Sequence, residues 1–202
     1  MSAMYPDAIP GVALRTGRPK PAKARKAAAL LNAALGDGFS ADTLRAVKAD
    51  GGILVRAVED GKLLGAATAH VLDEARISRL ETRLLAAGVH DVALRGHRVG
   101  ELKSAAVTRA ARGRGIGTAM MQTRLAFLRS AGCRYVAVAS WVSADPGHSS
   151  LRMLERAGFA PLATIRGYWA QGKFSEFPCP DCALACICTA VILILDLDPE
   201  HP

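Results

Sequence analysis

The chain has 202 residues, of which 50% are hydrophobic and 22% are charged. This composition excludes an intrinsically disordered protein and favours one globular domain, residues 1–202, with a sizeable core. The formal net charge of +8 favours an acidic ligand such as a phosphorylated cofactor, nucleic acid or an anionic membrane surface.

No segment has the pattern of a membrane span or a secretory signal. The longest apolar stretch, residues 183–195, is too short to cross a bilayer, which takes about 20 residues. Residues 1–11 lack the apolar core of a signal peptide. We therefore expect a cytoplasmic protein with no membrane partner.

The N-terminal half alternates between strand and helix patterns. The sequence predicts strands over residues 12–15, 53–58 and 63–71, and helices over residues 24–35, 41–48 and 74–87. Ser40 is a good N-cap for the second of these helices, while Gly36 and Gly88 end the first and the third. Asp60-Gly61 is a strong signal for a two-residue hairpin between the second and third strands.

The C-terminal half continues the alternation after a polar connection over residues 89–99. It predicts strands over residues 101–108, 135–142 and 190–197, and helices over residues 118–131 and 149–158. Met121, Leu125 and Leu128 fall on one face of the first of these helices, which should be buried. Hairpins combined with strand-helix-strand units imply a mixed α/β sheet with helices on its faces.

A glycine-rich loop separates the strand at 101–108 from the helix at 118–131. It reads Arg112, Gly113, Arg114, Gly115, Ile116 and Gly117. A loop of this kind that opens a helix presents backbone N–H groups and the positive end of the helix dipole, so phosphate is its usual ligand. No Gly-Lys-Ser/Thr follows, and Thr118 stands where a dinucleotide fingerprint needs its third glycine. The alternative is an ordinary strand-to-helix turn.

This loop resembles the acetyl-CoA pyrophosphate loop of the GCN5-related N-acetyltransferase (GNAT) superfamily, which reads Arg-x-x-Gly-x-Gly after a strand and before a helix. Downstream, Arg156-Ala157-Gly158-Phe159 resembles the Lys-x-Gly-Phe that closes the family's second conserved segment. The order of elements matches over about residues 100–169, and the first half matches only in pattern. The resemblance implies one domain with a strongly twisted mixed sheet of about six or seven strands.

The resemblance also implies an activity, the transfer of an acetyl group from acetyl-CoA to a primary amine by direct attack. The pyrophosphate would lie on the loop and the pantetheine along residues 105–108, with a backbone N–H near Val107 polarising the thioester. The implied cofactor-binding residues are Ala106, Val107, Thr108, Arg112, Gly113, Arg114, Gly115, Ile116, Gly117 and Thr118. Residues 74–99 and 179–188 are expected to shape the cleft for the acceptor amine. A homodimer is also compatible with the resemblance.

Glu101 is the candidate for the catalytic base. Strand alternation places it on one face with Lys103, Ala105 and Val107, and some histone-type family members carry a catalytic glutamate at this spacing. Its carboxylate could take the amine proton directly or through water. The alternative is a strand-edge glutamate paired with Lys103 or an arginine.

At the position where the family carries its general acid, this sequence departs from the family pattern. Leu154 stands where many members carry a tyrosine, and Gly147 stands where an asparagine often begins the segment. Either solvent helps the thiolate to leave or another group serves, and Tyr168 and His148 are the nearest candidates by sequence. His148 could instead be a polar loop residue, and Tyr168 could line the core or the acceptor cleft with Trp169. This departure leaves a catalytically silent acyl-CoA sensor as an alternative function.

Four cysteines form a second distinctive feature between the last two strands, within residues 179–188. They are Cys179, Cys182, Cys186 and Cys188. A Cys-x-x-Cys pair is a common half of a tetrahedral zinc site, so a structural zinc ion is one interpretation. Buried free thiols and a redox pair are the others, and a zinc-stabilised interaction module is a further alternative for the whole chain. Cys133 stands apart and is expected to be buried.

Basic residues cluster over residues 15–26 near the N-terminus. No aromatic side chains interleave with them and no recognition motif accompanies them, so we expect a solvated helix start and no nucleic-acid partner.

Overall fold

The computed structural model describes residues 9–17, 19–36, 51–142, 150–170, 179, 181–182 and 186–197. Its strands are β1 (Ala13–Arg15), β2 (Gly52–Glu59), β3 (Lys62–Val71), β4 (Val99–Val107), β5 (Tyr135–Val142), β6 (Ala160–Arg166) and β7 (Thr189–Asp196). Its helices are α1 (Pro21–Leu35), α2 (Glu74–Ala86), α3 (Ile116–Ser130) and α4 (Leu151–Arg156), with short 3-10 turns at Arg109–Ala111 and Tyr168–Ala170.

The predicted elements appear in the predicted order wherever the chain is described. Strand β6 is the exception, since the sequence predicted no range for it, and the other differences lie at element ends. Helix α3 begins at Ile116, two residues before the predicted start, because Gly115 takes a left-handed φ of 80° and serves as its N-cap. Helix α4 is shorter than predicted, and the bounds of β6 and the two 3-10 turns had no clear sequence signal. The helix predicted over residues 41–48, together with Gly147 and His148, lies outside the described residues.

The chain forms two compact units, and the first comprises Met1–His70 and Leu102–Ala131. Strands β1, β2 and β3 are joined there in antiparallel pairs. Asp60 and Gly61 have φ values of 46° and 76°, which is the left-handed turn that the Asp-Gly pair predicts. The core of this unit is a cluster of buried residues, Val55, Ala57, Ala67, Ala111, Ile116 and Met120.

Close packing of β3 explains the glycine in its middle. A Cβ atom added at Gly65 would lie 2.9 Å from Met120 Cε and 3.1 Å from the Ala106 carbonyl oxygen. Both distances are shorter than normal contacts, so a side chain at this position of β3 would displace Met120 and crowd the Ala106 carbonyl.

A buried arginine joins β3 to β4 in the same unit. Arg124 is 3% exposed, and its Nη1 donates to the carbonyl oxygens of Thr68 at 3.2 Å and Ser104 at 3.5 Å. The hydroxyls of Thr68 and Ser104 lie 2.6 Å apart beside it. Burial lowers the pKa of Arg124 to about 10, because the charged form loses its hydration. These bonds hold the two strands together on the side of β4 that faces the core.

The second unit comprises Val71–Glu101 and Gly132–Pro202. Strand β4 pairs in parallel with β5 over Val99–Glu101, and β7 lies antiparallel between β5 and β6. Its two hydrophobic clusters surround Leu72, Ile77, Leu94 and Val99 in one case and Leu84, Ala190 and Ile192 in the other.

Helix α2 and the connection after it are tied together by Glu81. Its Oε1 accepts the backbone N–H groups of Leu94 and Arg95, each at 3.0 Å, and Oε2 pairs with Arg95 Nε at 2.6 Å. Leu94 is fully buried, so the connection that the sequence predicts to be polar contributes a core residue. Ile77 and Leu84 of α2 are buried, and Leu80 on the same face is half-buried.

The seven strands follow the order β1-β2-β3-β4-β5-β7-β6 in an open sheet. The parallel β4–β5 pair among antiparallel pairs confirms the predicted mixed α/β sheet flanked by helices. Among the described helices, none is both long enough and apolar enough to cross a bilayer.

Candidate functional site

The entry of the glycine-rich loop is fixed by hydrogen bonds to the strands beside it. The Thr108 N–H donates to the Leu64 carbonyl at 2.8 Å, immediately after β4 ends. Arg112 Nε then donates back to the Val107 carbonyl at 3.3 Å. The Arg112 side chain therefore braces the loop against the end of β4, which the sequence did not indicate.

The loop itself is exposed between two buried anchors. Ala111 and Ile116 are 2% and 1% exposed, whereas residues 112–115 between them are exposed to solvent. Gly113 and Gly115 have φ values of 78° and 80°, and a Cβ added at either would meet no atom within 4 Å. Their role is therefore to allow the backbone turn and to leave the space above the loop free.

The first turn of α3 has no side-chain cap. Its N-cap is Gly115, which has no side chain to accept a hydrogen bond from the turn, and no acidic residue lies in the turn. Helix α2 differs, since the Asp73 carboxylate accepts the Arg76 N–H at 2.8 Å. The uncapped N–H groups of α3, at Ile116, Gly117 and the exposed Thr118, together with the helix dipole, favour an anion at this position.

The second arginine of the loop is held by a carboxylate from the β2–β3 hairpin. Arg114 Nη1 donates to Glu59 Oε2 at 3.1 Å, and Nη2 donates to Oε1. The hydrogen bond lowers the pKa of Glu59 and raises the pKa of Arg114. The two residues are 55 positions apart, so no local pattern in the sequence could reveal the pair.

The strand that leads to the loop alternates between its two faces as predicted. Leu102, Ser104 and Ala106 are buried, while Glu101 and Val107 are half-buried on the opposite side. The parallel register of β4 with β5 ends where Glu101 lies opposite Ala137. The placement of Glu101 and Val107 on one face is thus confirmed, and the role of Glu101 as a base stays a prediction.

Tyr168 lies in the second unit, in the 3-10 turn after β6. Its ring packs edge-on against Trp169 with centroids 5.1 Å apart, and the Arg83 guanidinium lies 4.6 Å from the ring centroid. It also packs against the cluster around Leu84. These contacts agree with the alternative that Tyr168 lines the core or the acceptor cleft. Its role as a general acid stays a prediction.

Leu154, at the position of the family's tyrosine, is 2% exposed and belongs to the core.

The structure brings the four clustered cysteines together. The sulfur atoms of Cys179, Cys182, Cys186 and Cys188 all lie within 4.8 Å of one another. Cys188 Sγ is 3.5 Å from both Cys179 Sγ and Cys182 Sγ, which is too long for a disulfide, and all four are free thiols. Burial raises the pKa of the Cys182 thiol, but hydrogen bonds from the Ile187 backbone and the neighbouring thiols outweigh this effect and lower it to about 7.

The profile of the acetyltransferase (GNAT) family matches residues 26–159, about two thirds of the chain. The chain belongs to this family. That span includes Glu101, the glycine-rich loop and α4, and it ends at Phe159, the last residue of the segment that resembles the family's Lys-x-Gly-Phe. No curated protein sequence matches the chain.

Solved structures similar to this GNAT protein include acetyl-CoA complexes. Arabidopsis thaliana NAA60 in complex with acetyl-CoA is 16% identical with a TM-score of 0.64, over 93% of this chain and 99% of that one. A GNAT family acetyltransferase from Elizabethkingia anophelis with acetyl-CoA bound is 12% identical with a TM-score of 0.60, over 93% and 99%. The ribosomal-protein-S18-alanine N-acetyltransferase from Escherichia coli is 13% identical with a TM-score of 0.60, over 92% and 94%. At these identities the similarity establishes the shared fold.

The segment expected to shape the acceptor cleft of this GNAT protein contains a cavity. The cavity has a volume of about 370 Å³ and lies between α2 and the connection after it, lined by Leu84, Leu85, Val89 and Val92 among others. The Glu81–Arg95 ion pair also lines the cavity.

Cys133 lies apart from the other cysteines and is 5% exposed, which confirms its predicted burial.

Proposed function

We propose that this GNAT protein transfers an acetyl group from acetyl-CoA to a primary amine by direct attack. The observation that carries the proposal is the uncapped first turn of α3, which follows two glycines that leave open space above the loop. A pyrophosphate there would accept hydrogen bonds from the backbone N–H groups that a glycine N-cap cannot cap with a side chain. We also propose that residues 1–202 act as one acyltransferase domain, since β4 contributes residues to both compact units.

The cofactor would be bound mainly through the first unit. Residues 112–118 would hold the pyrophosphate, with Arg114 supplying positive charge, and residues 105–108 would lie along the pantetheine. The Thr108 N–H already donates to Leu64, so we assign the polarisation of the thioester to a backbone N–H near Val107. Ala106 is buried and would contribute through its backbone.

Glu101 would act as the base. A neutral amine attacks the thioester carbonyl carbon, the new C–N bond forms as the C–S bond breaks, and the amine proton passes to the Glu101 carboxylate. The coenzyme A thiolate leaves and takes up a proton. Tyr168 is the candidate donor, since the buried Leu154 has no proton to give. The position of Glu101, half-buried on the same strand face as Val107, supports this assignment.

The test is a turnover assay with acetyl-CoA and a panel of primary amines that includes agmatine and short peptides with free N-termini. Products should be detected by mass spectrometry, because the protein's own five cysteines would consume a thiol reagent. We expect acetylated amine and coenzyme A in equal amounts with at least one class of acceptor. No product in any reaction, with acetyl-CoA binding intact, would contradict the enzyme proposal.

That second result would favour the alternative function, a catalytically silent acyl-CoA sensor. The specific observation behind this alternative is Leu154, which is buried at the position of the family's tyrosine. Turnover by the wild-type protein separates the two cases, and its comparison with the Tyr168→Phe variant then tests the proton donor. Slower turnover with unchanged acetyl-CoA affinity in the variant would support Tyr168 as the proton donor.

A further inference from the structure

We infer that Cys179, Cys182, Cys186 and Cys188 bind one zinc ion in a tetrahedral tetrathiolate site that fixes the connection between β6 and β7. Zinc–sulfur bonds of about 2.3 Å place tetrahedral thiolates about 3.8 Å apart. The observed sulfur separations start at 3.5 Å and do not exceed 4.8 Å, so the four sulfurs already surround a space of that size.

The spacing of the sulfurs selects a single ion over other uses of four cysteines. A disulfide needs a sulfur–sulfur distance of about 2.0 Å, which neither of the two 3.5 Å pairs approaches. An iron–sulfur cluster places several iron and sulfide atoms between its cysteines and needs their sulfurs further apart. Zinc binds more tightly than ferrous iron in the same site and accepts four thiolates in tetrahedral geometry, so it is the expected occupant.

The surroundings supply hydrogen-bond donors to the sulfurs. The Trp141 side chain, whose indole N–H can only donate, interacts with the Cys188 thiol, and the Ile187 backbone interacts with the Cys182 thiol. Four thiolates around one divalent cation leave a net charge of −2, and such donors disperse it. Trp141 on β5 lies opposite Ala190 on β7, so this contact also connects the site to the sheet of the second unit.

The position of the site in the chain gives it a structural role. Cys188 directly precedes β7, and its carbonyl accepts the Gly167 N–H at 3.0 Å. Gly167 follows β6 and has a φ of 65°, and the turn that carries Tyr168 and Trp169 comes next. A metal ion bound to Cys188 would therefore hold the end of β6, the start of β7 and this turn in one arrangement.

The first test is metal analysis of full-length protein, purified without chelators from cells supplied with both zinc and iron. We expect one zinc per chain, whether or not acetyl-CoA is present. Exchange into cobalt(II) should produce the visible bands of tetrahedral cobalt and a near-ultraviolet sulfur-to-cobalt band. Protein without stoichiometric zinc, protein with iron in its place, or a cobalt spectrum without thiolate bands would overturn the inference.

Two matched serine variants identify the ligands. Cys186→Ser removes one proposed ligand, and Cys133→Ser removes the buried cysteine that lies apart from the cluster. We expect a chelator to remove zinc from Cys186→Ser at least tenfold faster than from the wild-type protein, with a change in tryptophan fluorescence. Cys133→Ser should keep one zinc per chain. Equal zinc retention in both would overturn the ligand assignment.

Zinc release from the wild-type protein gives a test that does not depend on a variant folding. Titration with a mercurial thiol reagent should release the zinc as four thiols per chain react, followed with a colorimetric zinc indicator. Release without thiol modification would contradict a tetrathiolate site. Because metal content is measured without acetyl-CoA, failure of the zinc inference and failure of the acetyltransferase proposal remain distinguishable.

Discussion

Arg114 of the glycine-rich loop is paired with Glu59 at the end of β2, with 3.1 Å between Nη1 and Oε2. The pair holds the loop arginine against the β2–β3 hairpin. It also places a negative charge beside the position where the first turn of α3 favours an anion. Glu59 thus fixes the orientation of Arg114 while it partly neutralises the positive charge that a polyanionic cofactor would meet.

Replacement of Glu59 by glutamine should tighten acetyl-CoA binding. Loss of one partly exposed negative charge near the phosphates should lower the dissociation constant about two- to fivefold at low salt, and the gain should shrink as salt screens it. The measurement is calorimetric titration at two salt concentrations. Glu74→Gln on α2, a residue of the second unit, makes the same change in net charge and serves as the control. Weaker binding in the Glu59 variant, or an equal gain in both, would contradict this account.

Gly115→Val should abolish acetyl-CoA binding, and Gly88→Val should not. Both glycines have left-handed φ values, 80° and 83°, and a Cβ at either meets nothing within 4 Å, so the backbone strain is about 1–2 kcal/mol in each. Only at Gly115 would the side chain occupy the space proposed for the pyrophosphate. Thermal unfolding should show similar losses of stability, while calorimetry shows a loss of affinity in one variant alone. Retained affinity in Gly115→Val would refute the loop assignment.

Glu101→Gln should lower kcat about 10²- to 10⁴-fold and leave the dissociation constant of acetyl-CoA unchanged. A base acts only when deprotonated, so the wild-type rate should rise with pH along the acidic limb of the profile. The part of that limb that comes from the carboxylate should be absent in the variant, because glutamine does not titrate, and only the rise from deprotonation of the acceptor amine should remain. Glu155→Gln on α4 is the control for a lost exposed carboxylate. A profile whose acidic limb is unchanged by the Glu101 substitution would assign the base to another group.

Gly65→Val should lower the free energy of unfolding by about 1–3 kcal/mol, because its side chain would overlap Met120 and the Ala106 carbonyl. Denaturant unfolding measures the change. Ala160→Val, at an exposed position of β6, enlarges a strand residue without overlap and should change stability by less than about 0.5 kcal/mol. Similar effects of the two substitutions would show that the close approach of β3 is not a constraint on stability.

The sequence predicted those features that depend on neighbouring residues. The Asp60-Gly61 turn, the stop of α1 at Gly36 and the strand-loop-helix order around Gly115 all follow from local backbone preferences. The approach of the four cysteines was also predictable in part, because Cys179 and Cys188 are only nine residues apart.

Contacts between residues far apart in the chain had no comparable signal in the sequence. The Glu59–Arg114 pair and the bonds from Arg124 to Thr68 and Ser104 join residues 20 to 56 positions apart. Gly65 stands in the middle of β3 and Met120 lies far along the chain on α3, so no local pattern in the sequence reveals their close approach. The burial of Leu94 depends on Glu81, which holds the connection after α2 in place.

Binding of acetyl-CoA to the purified wild-type protein is the most direct test of the central claim. Isothermal titration calorimetry at moderate salt should show saturable binding at one site per chain, with an affinity that falls as salt is raised because phosphate contacts dominate. If no saturable binding is found at every salt concentration tested, low salt included, the cofactor site at the first turn of α3 is contradicted, and with it the proposed acetyl transfer.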